Sequence, residues 1–408
     1  MDVDIRPITN DQFEEFLKTV EAAFGEVPEP EHAEKFAKFS DPQRMFAARD
    51  GSTMVGTAGA YAFDLTVPGG SVKAGGVTVV GVLPSHRRRG VLTKMMRAQI
   101  DDEHERREPI AVLWASEDPI YQRFGYGAAA VQAHIDLPRA EAAFLTPEPQ
   151  VGQAHMITAD EALNIYPVVY DQVKEQRPGM YARWPEWWRF HRLRDPESDR
   201  EGFSPRWHVV WEDPSGEVGA YAMYRVKTGW EQGFAVGTLQ VDEAMGVDAV
   251  ATREIWRYLF GVDLITNIAA YHLPSDHALR YLLLNPRSLR FMSGEALWLR
   301  IIDLPEALEA RAYKHDGSLV VDIVDDFCPW NAGTWSIDVH DGKAKVTRAA
   351  GEAALSMTVN ELACTYLGET TFAQLASAGR VRELSPGAVA SATQMFRWDI
   401  APWCPEVF

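Results

Sequence analysis

Three consecutive arginines, Arg87 to Arg89, lie between a strand-like run and a helix-like run in a chain whose formal net charge is −18. Where a strand turns into a helix, the first N–H groups of the helix lack partners and the helix dipole is positive. An anion gains charge-assisted hydrogen bonds there, and Gly90 lets the backbone approach it closely. The pattern Arg-x-x-Gly-x-Leu, Arg87 to Leu92, therefore predicts a pyrophosphate cradle. A solvated basic turn is the alternative for such a loop on its own.

Other signatures of anion binding or catalysis are missing from the sequence. It contains no G-x-x-x-x-G-K-[ST] loop, no G-x-G-x-x-G after a strand, no G-x-S-x-G elbow and no H-E-x-x-H or C-x-x-C spacing. Cys328, Cys364 and Cys404 are odd in number and far apart. They favour a reducing cytoplasm, and neither a disulfide framework nor a metal site is expected.

The elements around the arginine loop predict an α+β unit of about 145 residues. Thr9 and Gln12 form a capping box before an amphipathic helix that carries Phe13, Phe16, Leu17, Val20 and Phe24 on one face. Three strand-like runs separated by glycine turns lead into the loop. A helix, a buried strand and a short helix ended by Gly125 follow it. The predicted runs are Met45–Arg49, Met54–Val67, Val77–Leu83, Val91–Arg106, Ile110–Ala115 and Pro119–Phe124.

The middle of the chain repeats this layout, and the last part has a different one. A predicted hairpin, strand, helix and strand run from Trp207 to Tyr271, but the stretch before that helix, Asp242 to Gly246, reads as an acidic loop without arginines. We therefore expect no second anion site there. From about Leu297, strands followed by helices predict a separate α+β domain.

A second stretch, Leu113 to Gly127, supports the interpretation of the arginine loop as a pyrophosphate site. Tyr121-Gln-Arg-Phe-Gly125-Tyr126 matches the Tyr-x-x-x-Gly-Phe/Tyr helix of the GNAT acyl-coenzyme A N-acetyltransferases, and the loop resembles that family's pyrophosphate loop. Leu92 and Ser116 depart from the family, which usually has a small residue and an asparagine there.

The whole chain resembles the enhanced intracellular survival (Eis) type of amine and aminoglycoside acetyltransferase. The resemblance rests on His86-Arg-Arg-Arg-Gly90, on Ala115 to Gly127, on Trp298-Leu-Arg-Ile301 with Ala307 to Arg311, and on the final Phe408. It implies a GNAT domain over 1–145, a degenerate central GNAT-like domain over 146–292 and a C-terminal sterol-carrier-protein-like domain over 293–408. It also implies a homo-hexamer and acetyl-coenzyme A as the acetyl donor.

The resemblance assigns roles to individual residues. Tyr121 would be the general acid, with Tyr126 as the second choice, and the α-carboxylate of Phe408 would be the base. A free α-carboxyl is a weak base, so burial would have to strengthen it. Glu26 and Phe36 would contact substrate, although a solvated acid and a core aromatic are their structural alternatives. The residues implied for the coenzyme are Val80, Gly81, Val82, Arg88, Arg89, Gly90, Val91, Leu92, Thr93, Ser116 and Glu117.

The function expected is acetyl transfer to primary amines of polycationic small molecules such as aminoglycosides. An acidic chain attracts cations and argues against nucleic-acid partners. Two alternatives remain, a protein-lysine acetyltransferase and a non-catalytic acyl-coenzyme A or lipid-binding protein. The first residues lack a secretory signal and no apolar run spans a bilayer, so we expect a cytoplasmic protein without a membrane span.

Overall fold

The structure, a computed structural model, describes residues 3–26 and 32–408. The predicted capping box at Thr9 and the amphipathic helix after it are present, but Phe24 lies at the last position of the helix and is 46% exposed. The expectation that Phe24 joins the buried face was therefore wrong. The elements up to residue 130 are β1 (Asp4–Pro7), α1 (Phe13–Phe24), α2 (His32–Ala37), β2 (Met45–Asp50), β3 (Thr53–Val67), β4 (Gly70–Val82), α3 (Val91–Glu105), β5 (Ile110–Trp114), α4 (Asp118–Gln122) and β6 (Gly127–Ala128).

The middle of the chain forms a second set of strands and helices. The predicted acidic loop Asp242 to Gly246 is wrong, because these residues continue a strand. Alternating burial along this strand explains why: every second residue from Gly237 to Glu243 faces the core. The elements are β7 (Val131–Pro138), β8 (Gln153–Ile157), α5 (Ala159–Lys174), α6 (Pro185–Trp187), β9 (Trp207–Glu212), β10 (Val218–Lys227), β11 (Trp230–Glu231), β12 (Phe234–Ala235), β13 (Gly237–Gly246), α7 (Ala249–Phe260), β14 (Ile265–Pro274), α8 (Leu279–Leu282) and β15 (Met292–Glu295).

The last part contains the expected strands followed by helices. Capping boxes at Thr358 and Thr371 begin two of these helices. The elements are β16 (Leu297–Ile301), α9 (Leu304–Ala310), β17 (Gly317–Val324), β18 (Gly333–His340), β19 (Lys343–Arg348), β20 (Leu355–Thr358), α10 (Val359–Thr365), α11 (Phe372–Ser377), β21 (Arg382–Glu383) and α12 (Ala388–Phe396).

The strands form two seven-stranded sheets, a five-stranded sheet and a small hairpin. Their orders are β1-β2-β3-β4-β5-β16-β6, β15-β7-β14-β13-β10-β9-β8, β19-β18-β17-β20-β21 and β11-β12. Strand β16, far along the chain, pairs antiparallel with β5, while β7 pairs with β14 in the other large sheet. The first large sheet therefore contains strands from distant parts of the chain. The predicted domain boundaries after residues 145 and 292 stay predictions.

The chain divides into two compact units. The first comprises the residues up to Ala130, Ala296–Pro402 and Val407–Phe408, and the second comprises Val131–Glu295 and Trp403–Glu406. In the described residues, no helix is long and apolar enough to cross a membrane, and no cluster of three or more His, Cys, Asp or Glu side chains could hold a metal ion. All three cysteines are buried, and none of them forms a disulfide.

Candidate active site

Two neighbouring parallel strands of the first unit diverge and open a cleft. Strands β4 and β5 pair at Ala74–Ile110, Gly75–Ala111 and Gly76–Val112, and the pairing ends there although β4 continues to Val82 and β5 to Trp114. Backbone N–H and C=O groups beyond the last pair need partners. An extended ligand that contains amide groups could pair with this edge of β4 as an additional strand does. We call this opening the first cleft.

A β-bulge shapes the wall of the first cleft. The register between β3 and β4 slips between the pairs Gly59–Thr78 and Thr57–Gly81, so β4 carries one extra residue there. Val79 has a φ of 48°, which is unusual for a β-branched residue, and the Thr57 hydroxyl donates a hydrogen bond of 2.8 Å to its carbonyl oxygen. Such bulges interrupt the hydrogen-bond ladder and occur next to active sites. The predicted residues Val80, Gly81 and Val82 follow the bulge directly.

The arginine loop lies at the end of β4 and leads into α3. Arg88 and Gly90 have φ values of 60° and 79°, and α3 begins at Val91 without a side-chain cap at Gly90. The N–H groups of the first turn can therefore bind an anion. A Cβ on Gly90 would meet nothing within 4 Å, so the left-handed backbone, and not crowding, explains the glycine here. Arg88, Arg89 and Thr93 are exposed, and Leu92 is half-buried.

Arg87 differs from the two arginines that follow it. Its guanidinium donates hydrogen bonds to the carbonyl oxygens of Val82, at 3.1 Å, and Ala23, at 2.7 Å. These bonds tie the loop to the ends of β4 and α1. Arg87 therefore holds the loop in place, and Arg88 and Arg89 lie exposed beside the start of α3.

Tyr121 lies in α4, beyond the end of β5, and is 6% exposed. It packs in one apolar cluster with Val77, Val80 and Leu92, so residues predicted for the coenzyme and for catalysis come together. Burial raises the pKa of Tyr121 to about 12, and the carboxylate of Glu117 acts in the same direction. A hydrogen bond with the Ser116 side chain opposes this shift. The phenol is therefore protonated at neutral pH.

Tyr126 is the neighbour that the sequence could not separate from Tyr121. The two rings lie edge to face with centroids 5.9 Å apart, but Tyr126 is fully buried. Its hydroxyl has no hydrogen-bond partner among the residues that the structure describes, and burial raises its pKa well above the usual value. Tyr121 is thus the tyrosine that retains some access to the surface.

The terminal residue, Phe408, packs on Phe63 of β3. Its ring lies edge to face against Phe63, with centroids 4.9 Å apart. The Phe63 ring covers Gly76, because a Cβ on Gly76 would lie 2.2 Å from a ring carbon. Gly76 is the last residue of β4 that pairs with β5. Side chains of successive strand residues point to opposite faces, so the Phe63 ring at Gly76 and the apolar cluster of Val77 and Tyr121 lie on the two sides of β4.

The two predicted substrate residues have different surroundings. Glu26 is exposed, directly after the end of α1. Phe36 is 5% exposed and packs on Phe13, Phe39 and Tyr61, with ring centroids 6.0, 5.4 and 6.4 Å away. The Tyr61 ring stacks in turn on Phe63 at 5.8 Å, so Phe36 belongs to the aromatic cluster that Phe408 contacts.

Sequence reasoning missed Tyr61 and Phe63, which connect Phe36 to Phe408. One signal could have indicated them: Gly75 and Gly76 are adjacent inside a strand, and such glycines mark close approach by another group. Gly76 accommodates Phe63, and Gly75 accommodates the carboxylate of Glu103, which would lie 2.3 Å from a Cβ there.

Comparison with known proteins identifies the class to which this fold and cleft belong. Residues 4–129 and residues 179–301 each match an acetyltransferase (GNAT) domain, and residues 304–405 match a sterol carrier protein domain. The predicted fold class, with two GNAT domains before a sterol-carrier-protein-like domain, is confirmed. GNAT acetyltransferases use acetyl-coenzyme A. The diverging strands, the bulge and the uncapped helix start fit an extended, diphosphate-bearing molecule of this kind.

Relatives that match almost the whole chain identify the family within this class. An uncharacterized N-acetyltransferase from Streptomyces avermitilis is 40% identical over 413 residues, which is 100% of both chains. N-acetyltransferase Eis from Mycobacterium tuberculosis is 31% identical over 94% of both chains. The crystal structure of Eis1 from Mycobacterium abscessus is similar with a TM-score of 0.87 at 31% identity, covering 99% of this chain and 100% of that chain. The chain therefore belongs to the Eis-type N-acetyltransferases, and the predicted family and enzyme class are confirmed.

Proposed function

We propose that the enzyme transfers the acetyl group of acetyl-coenzyme A to primary amines of polycationic small molecules such as aminoglycosides, in the first cleft. The observation that carries this proposal is the divergence of β4 and β5, with the arginine loop at the end of β4 and Tyr121 packed beside Val77 and Val80. The net charge of −18 supports a cationic acceptor, because it attracts such molecules over long distances.

In the proposed binding mode, the backbone of Val80 to Val82 pairs with the amide groups of the pantetheine arm. The N–H groups at the start of α3 and the guanidinium groups of Arg88 and Arg89 bind the pyrophosphate. The residues from Val91 to Thr93 form the first turn that presents these N–H groups. Ser116 and Glu117 follow the end of β5, on the other side of the cleft. An N–H freed by the bulge at Val79 polarises the thioester carbonyl and stabilises the oxyanion.

The reaction forms a C–N bond and breaks a C–S bond. The neutral amine attacks the thioester carbonyl carbon, and its proton passes to the α-carboxylate of Phe408. A phenol of pKa about 12 is a weaker acid than a thiol, whose ordinary pKa is about 8.5. Tyr121 therefore acts as the acid by donating a hydrogen bond to the departing sulfur while the C–S bond breaks. Full transfer of its proton requires the bound complex to stabilise the phenolate.

Glu26 and the aromatic cluster around Phe36 provide the proposed contacts to the acceptor. Glu26 supplies a carboxylate that attracts an ammonium group, and the rings of Tyr61 and Phe63 line the side of β4 on which Phe408 lies. The proposed assembly is the homo-hexamer that the resemblance implies.

Calorimetric titration with coenzyme A, followed by a thiol-release assay, tests this function. The acceptor panel contains an aminoglycoside, a linear polyamine and a lysine peptide at matched amine concentration. We expect the aminoglycoside to have the highest kcat/KM. A preference for the lysine peptide would instead support a protein-lysine acetyltransferase. Coenzyme binding without thiol release for any amine would support the non-catalytic alternative.

A further inference from the structure

The second unit contains a pair of strands that diverges in the same way as β4 and β5. Strands β13 and β14 run parallel and pair from Gly237–Ile265 to Val241–Ala270, after which β13 continues to Gly246 and β14 to Pro274. Helix α7 connects them, as α3 connects β4 and β5. We call this opening the second cleft. The central GNAT domain therefore retains the backbone of a coenzyme site.

The second cleft is occupied by the chain's own C-terminal segment. Trp403 is 6% exposed and packs with Tyr221 and Met245, the latter on the part of β13 beyond its last pair with β14. Its indole N–H donates to the carbonyl oxygen of His272, on the diverging part of β14. Its backbone N–H donates to the carbonyl oxygen of Pro178 at 2.7 Å. The indole is thus bonded to the diverging part of β14, and its apolar cluster includes Met245 of β13.

Three residues further on, the carboxylate of Glu406 is enclosed by donors. One of its oxygens accepts hydrogen bonds from Arg183 Nε at 2.5 Å, the Tyr181 hydroxyl at 2.8 Å and Trp187 Nε1 at 3.1 Å. The other oxygen lies 3.7 Å from Arg192 Nε. The Glu406 side chain is 5% exposed and that of Arg183 is fully buried. Buried charges are tolerated only with such pairing and hydrogen bonding.

The same arginines bind the wall of the second cleft. Arg183 makes two hydrogen bonds to Glu243 on β13, of 3.1 and 2.7 Å, and Arg192 Nη2 lies 3.1 Å from the same carboxylate. The buried Arg183 and the largely buried Arg192 therefore balance the two buried glutamates. Without Glu406, this group would retain an excess positive charge inside the protein, which is costly.

We propose that the second cleft is a receptor for the C-terminal segment, and that Glu406 is a positioning residue that determines where the α-carboxylate of Phe408 lies. This rests on the proposed function of Phe408 as the base. The chain extends at most about 3.5 Å per residue, so two residues after Glu406 limit the terminus to a radius of about 7 Å. An unattached terminus would fray.

A second coenzyme molecule is a poor occupant for this cleft. The Asp248 side chain caps α7 by accepting the N–H of Ala251 at 2.8 Å, so the start of this helix already has an anionic partner. The apolar space between the strands contains the Trp403 indole.

Release of Phe408 by a carboxypeptidase, followed by mass spectrometry on the full chain, tests the docking separately from catalysis. We expect wild type to release Phe408 slowly, and Glu406→Ala to release it at least ten times faster. The same variant should lower kcat about tenfold or more and leave the KM for acetyl-coenzyme A unchanged. Asp399→Ala is the matched control, because Asp399 belongs to the same tail but is exposed and pairs only with Lys314 in the described structure.

Each outcome bears on one part of the proposal. Release from Glu406→Ala at the wild-type rate would overturn the docking, whatever the activity. Faster release with unchanged kcat would overturn the positioning role and would mean that Phe408 is not the base. Tyr181→Phe is the second variant, for use if Glu406→Ala fails to fold, because it removes only one of the hydrogen bonds that Glu406 accepts. It should accelerate release about two- to tenfold, and no acceleration would again overturn the docking.

Discussion

The first and second clefts have the same backbone plan and opposite contents. In both, a parallel strand pair separates partway along and a helix connects the two strands. The first has an uncapped helix start after a glycine with a φ of 79°, and exposed arginines beside it. The second has an aspartate cap, buried arginines already paired with glutamates, and a tryptophan between the strands. Side chains therefore distinguish the two openings, and in our proposals the first binds a ligand and the second a segment of the protein itself.

The comparison also extends to two buried glutamates. Glu103 of α3 is fully buried and neither carboxylate oxygen has a hydrogen-bond partner among the described residues, so burial raises its pKa well above the usual value, with Glu108 adding to the shift. Burial also opposes ionisation of Glu243, but Arg183 and Arg192 outweigh it and lower the pKa of Glu243 to about 2. Similar burial thus accompanies pKa shifts in opposite directions, because Glu243 has hydrogen-bonded arginine partners that outweigh the effect of burial.

Tyr121→Phe is the substitution with the largest expected effect. It removes the donor to the departing sulfur, so kcat should fall by about 10²- to 10⁴-fold while coenzyme affinity stays unchanged. Tyr281→Phe, on the exposed helix that follows β14, is the matched control in the second unit and should leave kcat unchanged. Stopped-flow thiol release and calorimetry give the two quantities.

The pH profile of the wild-type enzyme sharpens this assignment. Because the pKa of Tyr121 is about 12, its ionisation should cause no alkaline fall in kcat/KM below about pH 11. Unchanged turnover in Tyr121→Phe would remove Tyr121 from the mechanism.

Glu243→Gln should be the most destabilising change in the second cleft. Removing one partner of a buried ion pair costs about 3–5 kcal/mol, and the melting temperature at pH 7 should fall accordingly. The folded-state pKa is lower than the unfolded one, so this stabilisation is present above the unfolded pKa of about 4.3 and is lost as the pH falls towards 2. The gap between variant and wild type should therefore narrow below about pH 4. Equal melting temperatures at pH 7 would contradict the ion pairing.

The double substitution of Arg88 and Arg89 by alanine tests whether the first cleft alone binds the coenzyme. Loss of charge-assisted hydrogen bonds should raise the Kd for coenzyme A about 10- to 100-fold. The Kd of the variant should also depend less on salt concentration than the Kd of wild type. Asp248→Ala removes the anionic cap of α7 in the second cleft and serves as the control. A change in coenzyme affinity in Asp248→Ala, with none in the arginine variant, would reverse the roles of the two clefts.

Glu103→Gln should have the smallest effect, opposite in sign to Glu243→Gln. The folded-state pKa of Glu103 is raised, so its favourable contribution is present below the unfolded pKa and is lost as the pH rises. Glutamine is neutral throughout, and the variant should therefore melt higher than wild type at pH 8, by a margin that shrinks towards pH 4. Differential scanning calorimetry at both pH values measures it. A larger loss of stability at pH 8 than at pH 4 would show that Glu103 is charged in the fold.

Local signals accounted for much of the fold. The capping box at Thr9, the glycine that precedes α3 and the strand–loop–helix order were predicted correctly, because each depends on residues that are close in the chain. The expectation of an acidic loop at Asp242 to Gly246 failed for the opposite reason. The carboxylate of Glu243 is buried by Arg183 and Arg192, which lie some fifty to sixty residues away.

The candidate site shows the same distinction between features that depend on nearby residues and features that depend on distant contacts. The arginine loop was predicted from its residues and Tyr121 from the resemblance to the GNAT family, but the different role of Arg87 depends on two carbonyl oxygens, one of them on α1. The connection from Phe36 through Tyr61 and Phe63 to Phe408 depends on ring contacts between distant strands and the terminus.

By itself, the sequence determined the elements, the family and the loop suited to a pyrophosphate, because helix periodicity, caps and turns depend on neighbouring residues. Only the tertiary structure decided that β16 completes the first sheet, that Tyr121 and not Tyr126 keeps access to the surface, and that Trp403 and Glu406 occupy the second cleft. These outcomes depend on which distant groups meet in a water-excluding interior, where each buried charge needs a partner that no local pattern specifies.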